Sequence, residues 1–269
     1  MKTKRNLQIF ISDLHVDRWD RERKEHFFEF LDYVEKNAQT LYVLGDIFDF
    51  PPLKGETVWP RHKLLISRLL EFPKKGIPLV YLIGNHDISL RGIELFEKDF
   101  TMTYCDNKRP FEREIFGKKV YMDHGHYYDP LFQDHLYDAV DFLKSVTGKP
   151  IDQSAVDFWR DVVRIFQRNP KNKQVEPSPE KQQVGVPERF LKIWEQAAEQ
   201  LLKRMRYDVV FFGHTHAPGI TETEAKNQWY VNTGDWIVHS TYIEFTDTGI
   251  SLNDWITKTK VKEITFPSA

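Results

Sequence analysis

The segment SDLH places Asp13 and His15 two residues apart, and GHTH places His214 and His216 at the same spacing. In extended chain, residues two apart project to one side, so each pair brings its lone pairs together. Between these pairs lie Asp46 and Asp49 in GDIFD, Asn85, His86 and Asp87 in GNHD, and His124 and His126 in HGH. Asp13, His15, Asp46, Asn85, His124, His214 and His216 supply more donors than one tetrahedral ion takes. They suit two divalent ions sharing a carboxylate, and Asp46 is the natural bridge. Oxygen and nitrogen donors without thiolate favour Mn²⁺, with Fe or Zn²⁺ as alternatives, over strictly octahedral Mg²⁺. A lone GHTH would read as a polar turn, and each Asp or Asn alone as a turn or capping residue. Five such clusters in one chain, each directly after an apolar run, make ligation the better account.

Donors so far apart in sequence converge only on a common framework. The runs LQIFISDLH, LYVLGDIFD, LVYLIGNHD, KVYMDHGH and VVFFGHTH are short, apolar and closed by polar turns, as for strands buried on both faces. Phe27, Phe30, Leu31 and Val34 form one helical stripe between them, and Leu65, Leu69 and Phe72 another. Strand and helix therefore alternate, which predicts an α/β layer fold whose ligands collect beyond the carboxyl ends of the strands. QWYVNTGDW and STYIEF read as later strands, with Thr233 to Asp235 as a turn near the same edge.

From about Tyr127 to Tyr207 the pattern turns helical. Leu136, Val140 and Leu143 fit one helix, Val156, Trp159, Val163 and Phe166 a second, and Leu191, Trp194, Ala198, Leu201 and Met205 a third. NPKNKQVEPSPEKQQVGVP reads as a loop between the last two. The expectation is one domain over 1–269 with a helical insertion at about 127–206.

The net charge of −2, from 38 basic and 40 acidic side chains, supplies no general attraction to nucleic acid. Cys105 is the only cysteine, so no disulfide framework is expected, in keeping with a reducing compartment. The run Leu7 to Ile11 meets Asp13 too soon for a signal-peptide core, and no segment approaches the roughly 20 apolar residues of a membrane span. These features predict a cytoplasmic protein.

The order D-x-H, G-D-x-x-D, G-N-H-D, H-G-H, G-H-T-H resembles the calcineurin-like metallophosphoesterase family, from Leu7 to about Phe245 and leaving out the helical insertion. That resemblance implies a four-layer α/β/β/α sandwich and a phosphoester substrate. It implies one metal held by Asp13, His15, Asp46 and His216, and a second by Asp46, Asn85, His124 and His214. Two divalent charges roughly 3.5–4 Å apart would activate a water and balance charge as it attacks phosphorus in line. The resemblance makes His86 the donor of a proton to the leaving oxygen and Asp49 its orienting partner, with Asp87 as the other candidate.

The helical insertion, with GDIFDF, HGHYYDP and NTGDW, is similar to the UDP-2,3-diacylglucosamine pyrophosphatase branch of that family. This implies cleavage of a nucleotide-lipid diphosphate to a lipid monophosphate and UMP. An apolar lid would suit acyl chains and dock peripherally on the inner membrane. Two residues depart from that branch, which often has Arg in place of His86 and H-G-D in place of His124-Gly125-His126. They leave the metal donors intact and keep soluble dinucleotides, cyclic nucleotides and phosphoproteins open as substrates. A nuclease would need a basic groove, and only Arg160, Arg164 and Arg168, four apart on one helix face, suggest one. Those arginines either grip a substrate phosphate or form a solvated face. His126 either touches substrate or closes its turn. Tyr127, Tyr128, Phe132, Trp159, Phe190 and Trp194 line an apolar pocket or a helical core. A scaffold without metals is the remaining reading. His26, His62, His135 and His239 have no motif support and are expected to be surface or structural residues.

Overall fold

The computed structural model describes residues 6–49, 58–90, 95–105, 109–129, 188–224 and 226–267. The first half runs β1 (Gln8–Ile11), α1 (Arg21–Asn37), β2 (Thr40–Leu44), α2 (Val58–Lys74), β3 (Leu79–Ile83), β4 (Leu95–Glu97), β5 (Phe100–Tyr104), β6 (Phe111–Ile115) and β7 (Lys118–Met122). The rest runs α3 (Glu188–Met205), β8 (Val209–Phe212), β9 (Gly219–Glu222), β10 (Trp229–Asn232), β11 (Thr241–Phe245), β12 (Gly249–Asp254) and β13 (Thr259–Thr265). Two compact units divide the chain: Met1–His126 with Val184–Ala269, and Tyr127–Gln183. The first unit contains all of these strands and helices, α3 included. The expected helices over Leu136–Leu143 and Val156–Phe166, the Arg160, Arg164 and Arg168 row and the loop after it lie outside the described residues.

The strands form two sheets, ordered β13-β12-β11-β1-β2-β3-β5-β4 and β6-β7-β8-β10-β9. β1, β2 and β3 run parallel, with Gln8 opposite Thr40 and Leu41 opposite Leu79, and β7 runs parallel to β8. Within each sheet, the loops that come after these strands therefore emerge at one edge. β1, β2, β3 and β8 are buried along their whole length, as continuous apolar runs demand.

Side chains from both sheets meet between them. Phe10 of β1 stacks at 4.1 Å on Phe211 of β8 across the sheets, and at 4.5 Å on Tyr42 of β2. Replacing the wholly buried Phe211 with Ala removes this contact and leaves a cavity. Unfolding stability should fall by about 3–5 kcal/mol, and urea denaturation monitored by tryptophan fluorescence measures the change.

Helices cover the outer faces. Asp20 caps α1, its Oδ1 accepting Arg23 N at 2.8 Å, which satisfies one of the open amides of the first turn. Phe27, Phe30, Leu31 and Val34 are completely buried, as their spacing predicts, with Phe27 and Phe30 against Trp236 at 4.7 and 4.8 Å. In α2, Leu65, Leu69 and Phe72 are buried. On the other sheet α3 packs on β8 and β10 through Trp194, Ala198 and Leu202. The expected stripe through Leu201 and Met205 needs correction, since Leu201 is half-buried and Met205 is 52% exposed. The straight i, i+4, i+8 row is the one that meets the sheet. Helix, sheet, sheet and helix make the four-layer α/β/β/α sandwich. β12 and β13 add two antiparallel strands beyond the last apolar run read from the sequence. β13 is mostly exposed, so its residues carry little of the apolar signal that marks a buried strand.

Candidate metal centre

Every expected ligand stands directly beyond a strand. Asp13 and His15 come after β1, Asp46 after β2, Asn85 after β3, His124 after β7, and His214 and His216 after β8. The first two loops are laced together: Asp13 N donates to Gly45 O at 3.1 Å, His15 N to Asp46 O at 3.0 Å and Val16 N to Ile47 O at 3.0 Å. From the far end of the chain, Trp236 N donates to Asp13 O at 3.0 Å. Asp13, His15, Asp46, His214 and His216 all hold left-handed backbone, with φ of 53°, 43°, 55°, 65° and 57°. Such conformations cost non-glycine residues on the order of 1 kcal/mol each and gather at functional sites. Gly84 leaves room for this packing, because a Cβ there would collide with Asp46 Oδ1.

Asp13, His15, Asp46 and His124 are almost wholly buried. His15 Nε2 lies 3.8 Å from both Asp13 Oδ1 and Asp46 Oδ2, while His216 Nε2 lies 3.3 Å from Asp13 Oδ1. His124 Nε2 is 3.1 Å from the same Asp46 Oδ2. Asn85 Oδ1 stands 3.0 Å from His124 Nε2 and 2.9 Å from His214 Nδ1. His124 Nδ1 is 2.6 Å from Leu44 O, to which only an N–H can donate. That bond turns the Nε2 lone pair toward the carboxylates. Among the described residues, Asp13 Oδ1 and His15 Nε2 are buried without a hydrogen-bond partner. Buried polar atoms ordinarily find partners, and a cation between these two would satisfy both.

Burial pushes the Asp13 carboxyl up, but His216, His124 and His15 outweigh it and hold Asp13 at about 2. Asp46 is likewise lowered against its burial by His124, His86 and His15. Burial opposes charge on the imidazoles, yet the nearby Asp13 carboxylate, the hydrogen bond to Asp49 and the charge of Asp46 raise His15 to about 10. Asp46 and Asp13 raise His124 to about 9 in the same way. The carboxylates thus demand positive charge, and a divalent ion bound there would displace the imidazolium protons. Burial, charge and donor type all fit divalent ions.

Among the described residues, three donor groups have ligating atoms within 4.8 Å of one another: Asp13–His15–His216, Asp46–His124–His214 and His15–Asp49–His86. The first two contain the expected ligands. The third is closed on itself: Asp49 Oδ1 is 2.6 Å from His15 Nδ1 and 2.8 Å from His86 Nδ1. Asp49 therefore stands where an orienting partner of His86 should. Asp87, the other candidate, does not: it is wholly buried and accepts Ile47 N at 3.1 Å and Phe48 N at 2.9 Å. Its side chain turns under the Asp46 loop instead of toward His86. His126, expected either to touch substrate or to close its turn, is also wholly buried, with Nε2 3.1 Å from Tyr104 Oη and its ring 5.5 Å from that of His124. Trp194 donates Nε1–H to Gly125 O at 2.7 Å, fastening α3 to the same turn. Of its expected aromatic neighbours, Phe132, Trp159 and the Phe190 side chain lie outside the described residues.

Several supporting residues carry no motif that marks them as part of the site. Ser12 Oγ contacts Asp13 Oδ2 and stands 2.5 Å from Thr233 Oγ1, tying Asp13 to the loop after β10. Asp235 Oδ2 lies 2.5 Å from His239 Nδ1 and 3.8 Å from His216 Nδ1. Arg18 binds Asp49, and Asp17 joins His62 to Asp49 N. Asp235 in NTGDW and Asp17 beside the D-x-H motif are the nearest thing to a signal in the sequence. Their partners give none: those of Asp17 lie 32 to 45 positions away, and Asp235 faces His239 four positions on and His216 in the loop after the neighbouring strand β8. His26 is half-buried between Glu22 and Glu29, as a structural residue should be, whereas His135 lies outside the described residues.

A family model described as calcineurin-like phosphoesterase matches residues 9–218. The UDP-2,3-diacylglucosamine hydrolase of Vibrio vulnificus (strain CMCP6) is 27% identical over 246 residues, covering 91% of this chain and 96% of its own. The protein of the same name from Aliivibrio fischeri (strain MJ11) is 27% identical over 248 residues, covering 91% and 97%. Among solved structures, Yfce, a phosphoesterase from E. coli, is similar over 97% of this chain and 100% of its own, with 13% identity and a TM-score of 0.48.

Proposed function

The chain belongs to the calcineurin-like phosphoesterase family and is a phosphoester-hydrolysing enzyme, and from that premise we propose that it cleaves a phosphodiester or pyrophosphate bond at a two-metal centre. The observation that carries the proposal is the placement of Asp46 Oδ2 within reach of both donor groups, 3.8 Å from His15 Nε2 and 3.1 Å from His124 Nε2. Asp13, His15 and His216 join it at one ion, and Asn85, His124 and His214 at the second. Mn²⁺ is the proposed metal, with Fe or Zn²⁺ as alternatives suited to the same donors. Bound there, two divalent ions supply an activated water and neutralise charge on the phosphoryl oxygens.

The side chains do the rest. Asp46 Oδ1 accepts His86 N at 2.8 Å, which ties His86 to the bridging carboxylate. Asp49 holds His86 Nδ1 at 2.8 Å, so Nε2 is the atom left to face the substrate, and the side chain is 38% exposed. As the water oxygen bonds to phosphorus, its proton passing to solvent, the P–O bond to the leaving group breaks and His86 Nε2–H gives its proton to the leaving oxygen.

The proposed substrate is UDP-2,3-diacylglucosamine, hydrolysed to lipid X and UMP. The curated relatives carry that substrate in their names and match 91% of this chain. His86 favours a second reading, a phosphodiesterase or phosphatase acting on soluble nucleotides or phosphoproteins. The proposed peripheral membrane contact rests on the insertion, most of which lies outside the described residues. Among the described residues no helix is long and apolar enough to cross a membrane. The test is a manganese-supplemented panel of UDP-2,3-diacylglucosamine, bis-p-nitrophenyl phosphate, p-nitrophenyl phosphate and single-stranded DNA. UMP release from the lipid substrate is expected; turnover of simple diesters without it would transfer the assignment to the soluble reading.

A further inference from the structure

We propose that Arg18 is a positioning residue, holding Asp49 in the one orientation that serves His15 and His86 together. The inference rests on the reading of His86 as the leaving-group acid. Arg18 Nε lies 2.6 Å from Asp49 Oδ2 and Nη2 lies 3.2 Å from Oδ1, so the guanidinium fork engages both carboxylate oxygens. Asp49 Oδ1 then stands 2.6 Å from His15 Nδ1 and 2.8 Å from His86 Nδ1.

One oxygen serving two imidazoles is a narrow requirement. The two rings are 4.8 Å apart and nearly perpendicular, at 88°, so a small rotation of the carboxylate favours one and abandons the other. The main chain of Asp49 is anchored, its N donating to Asp17 Oδ2 at 3.1 Å. That anchor leaves the side-chain torsions free. Among the described residues Arg18 is the only side chain hydrogen-bonded to Asp49 Oδ2, and this second point, added to the two imidazole contacts at Oδ1, fixes the plane of the carboxylate. Its own base is set by the ligand loop, since Arg18 N donates to His15 O at 2.9 Å. A charged residue that is 40% exposed is thereby built into the same turn as His15. Without Arg18, the carboxylate stays with His15, at the shorter distance, and His86 loses the partner that aims its Nε2.

The experiment compares manganese-loaded wild type, Arg18→Gln, Arg18→Lys and His86→Ala on aryl phosphodiesters graded from p-nitrophenyl to unsubstituted phenyl leaving groups. A p-nitrophenolate departs without a proton and a phenolate does not. Arg18→Gln should slow the phenyl ester by roughly thirtyfold, a share of what a general acid contributes, and the p-nitrophenyl ester by at most about threefold. Arg18→Lys should recover part of the loss, since an ammonium reaches one oxygen but not both. Equal slowing of every ester would mark a merely structural role and overturn the proposal.

A second measurement does not depend on turnover. The downfield Nδ1 proton resonance of His86, recorded with diamagnetic Zn²⁺ in place of manganese and assigned by its disappearance in His86→Ala, should shift or broaden in Arg18→Gln. An unmoved resonance overturns the proposal. The reading of His86 fails separately, if His86→Ala hydrolyses the phenyl ester as fast as wild type.

Discussion

Asp46→Asn is expected to leave a folded protein that binds fewer than two divalent ions and turns over roughly a thousandfold more slowly, a loss of about 4 kcal/mol in transition-state stabilisation. Asp46 has two separable jobs. Oδ1 accepts the His86 amide at 2.8 Å, and an asparagine oxygen can continue to do so. Oδ2 faces His15 Nε2 and His124 Nε2, and there the substitution places a neutral amide where a shared negative charge is needed. Its backbone already holds φ of 55°, a region that asparagine tolerates better than most residues. The local fold is therefore retained while the bridge is lost. Metal per chain by atomic emission, alongside initial rates on bis-p-nitrophenyl phosphate, measures both consequences. A variant with two ions and near-normal turnover would remove Asp46 from the bridging position.

His86→Ala separates chemistry from metal binding. His86 is 38% exposed and held at Nδ1 by Asp49, whereas Asp13, His15, Asp46 and His124 are buried around the proposed ions. Alanine keeps the backbone amide that donates to Asp46, so the metal centre should survive. The proton for the leaving oxygen must then come from water. Turnover should fall by about 10²–10⁴-fold, with metal content close to wild type. Parallel loss of metal and rate would show instead that His86 supports the centre and not the leaving group.

Fold and site differ in how far they can be read from residue order. The periodicities that predict α1 and the buried strands arise within a few residues, because burial of one face imposes its spacing on the chain whatever it packs against. The same logic fails at α3, where Leu201 and Leu202 both suit the apolar face and only the sheet below selects Leu202. It fails also for β13, whose mostly exposed residues owe their place to pairing with β12 and not to burial.

Residue order is enough to show which donors the chain offers: oxygen and nitrogen atoms, no thiolate cluster, and a fixed succession of five polar clusters after apolar runs. It also places His86 beside Asn85, within one turn of the ligands. Which atoms meet is a matter of three-dimensional packing. Asp49 and not Asp87 reaches His86, Arg18 clamps Asp49, and Ser12 links Asp13 to Thr233 over 221 positions. Asp13 Oδ1 and His15 Nε2 remain open toward each other only because left-handed loops turn them inward beyond two parallel strands. Residue type limits what an atom can donate or accept, but its partner is set by strand register and loop conformation. Those depend on long-range contacts that no local pattern encodes.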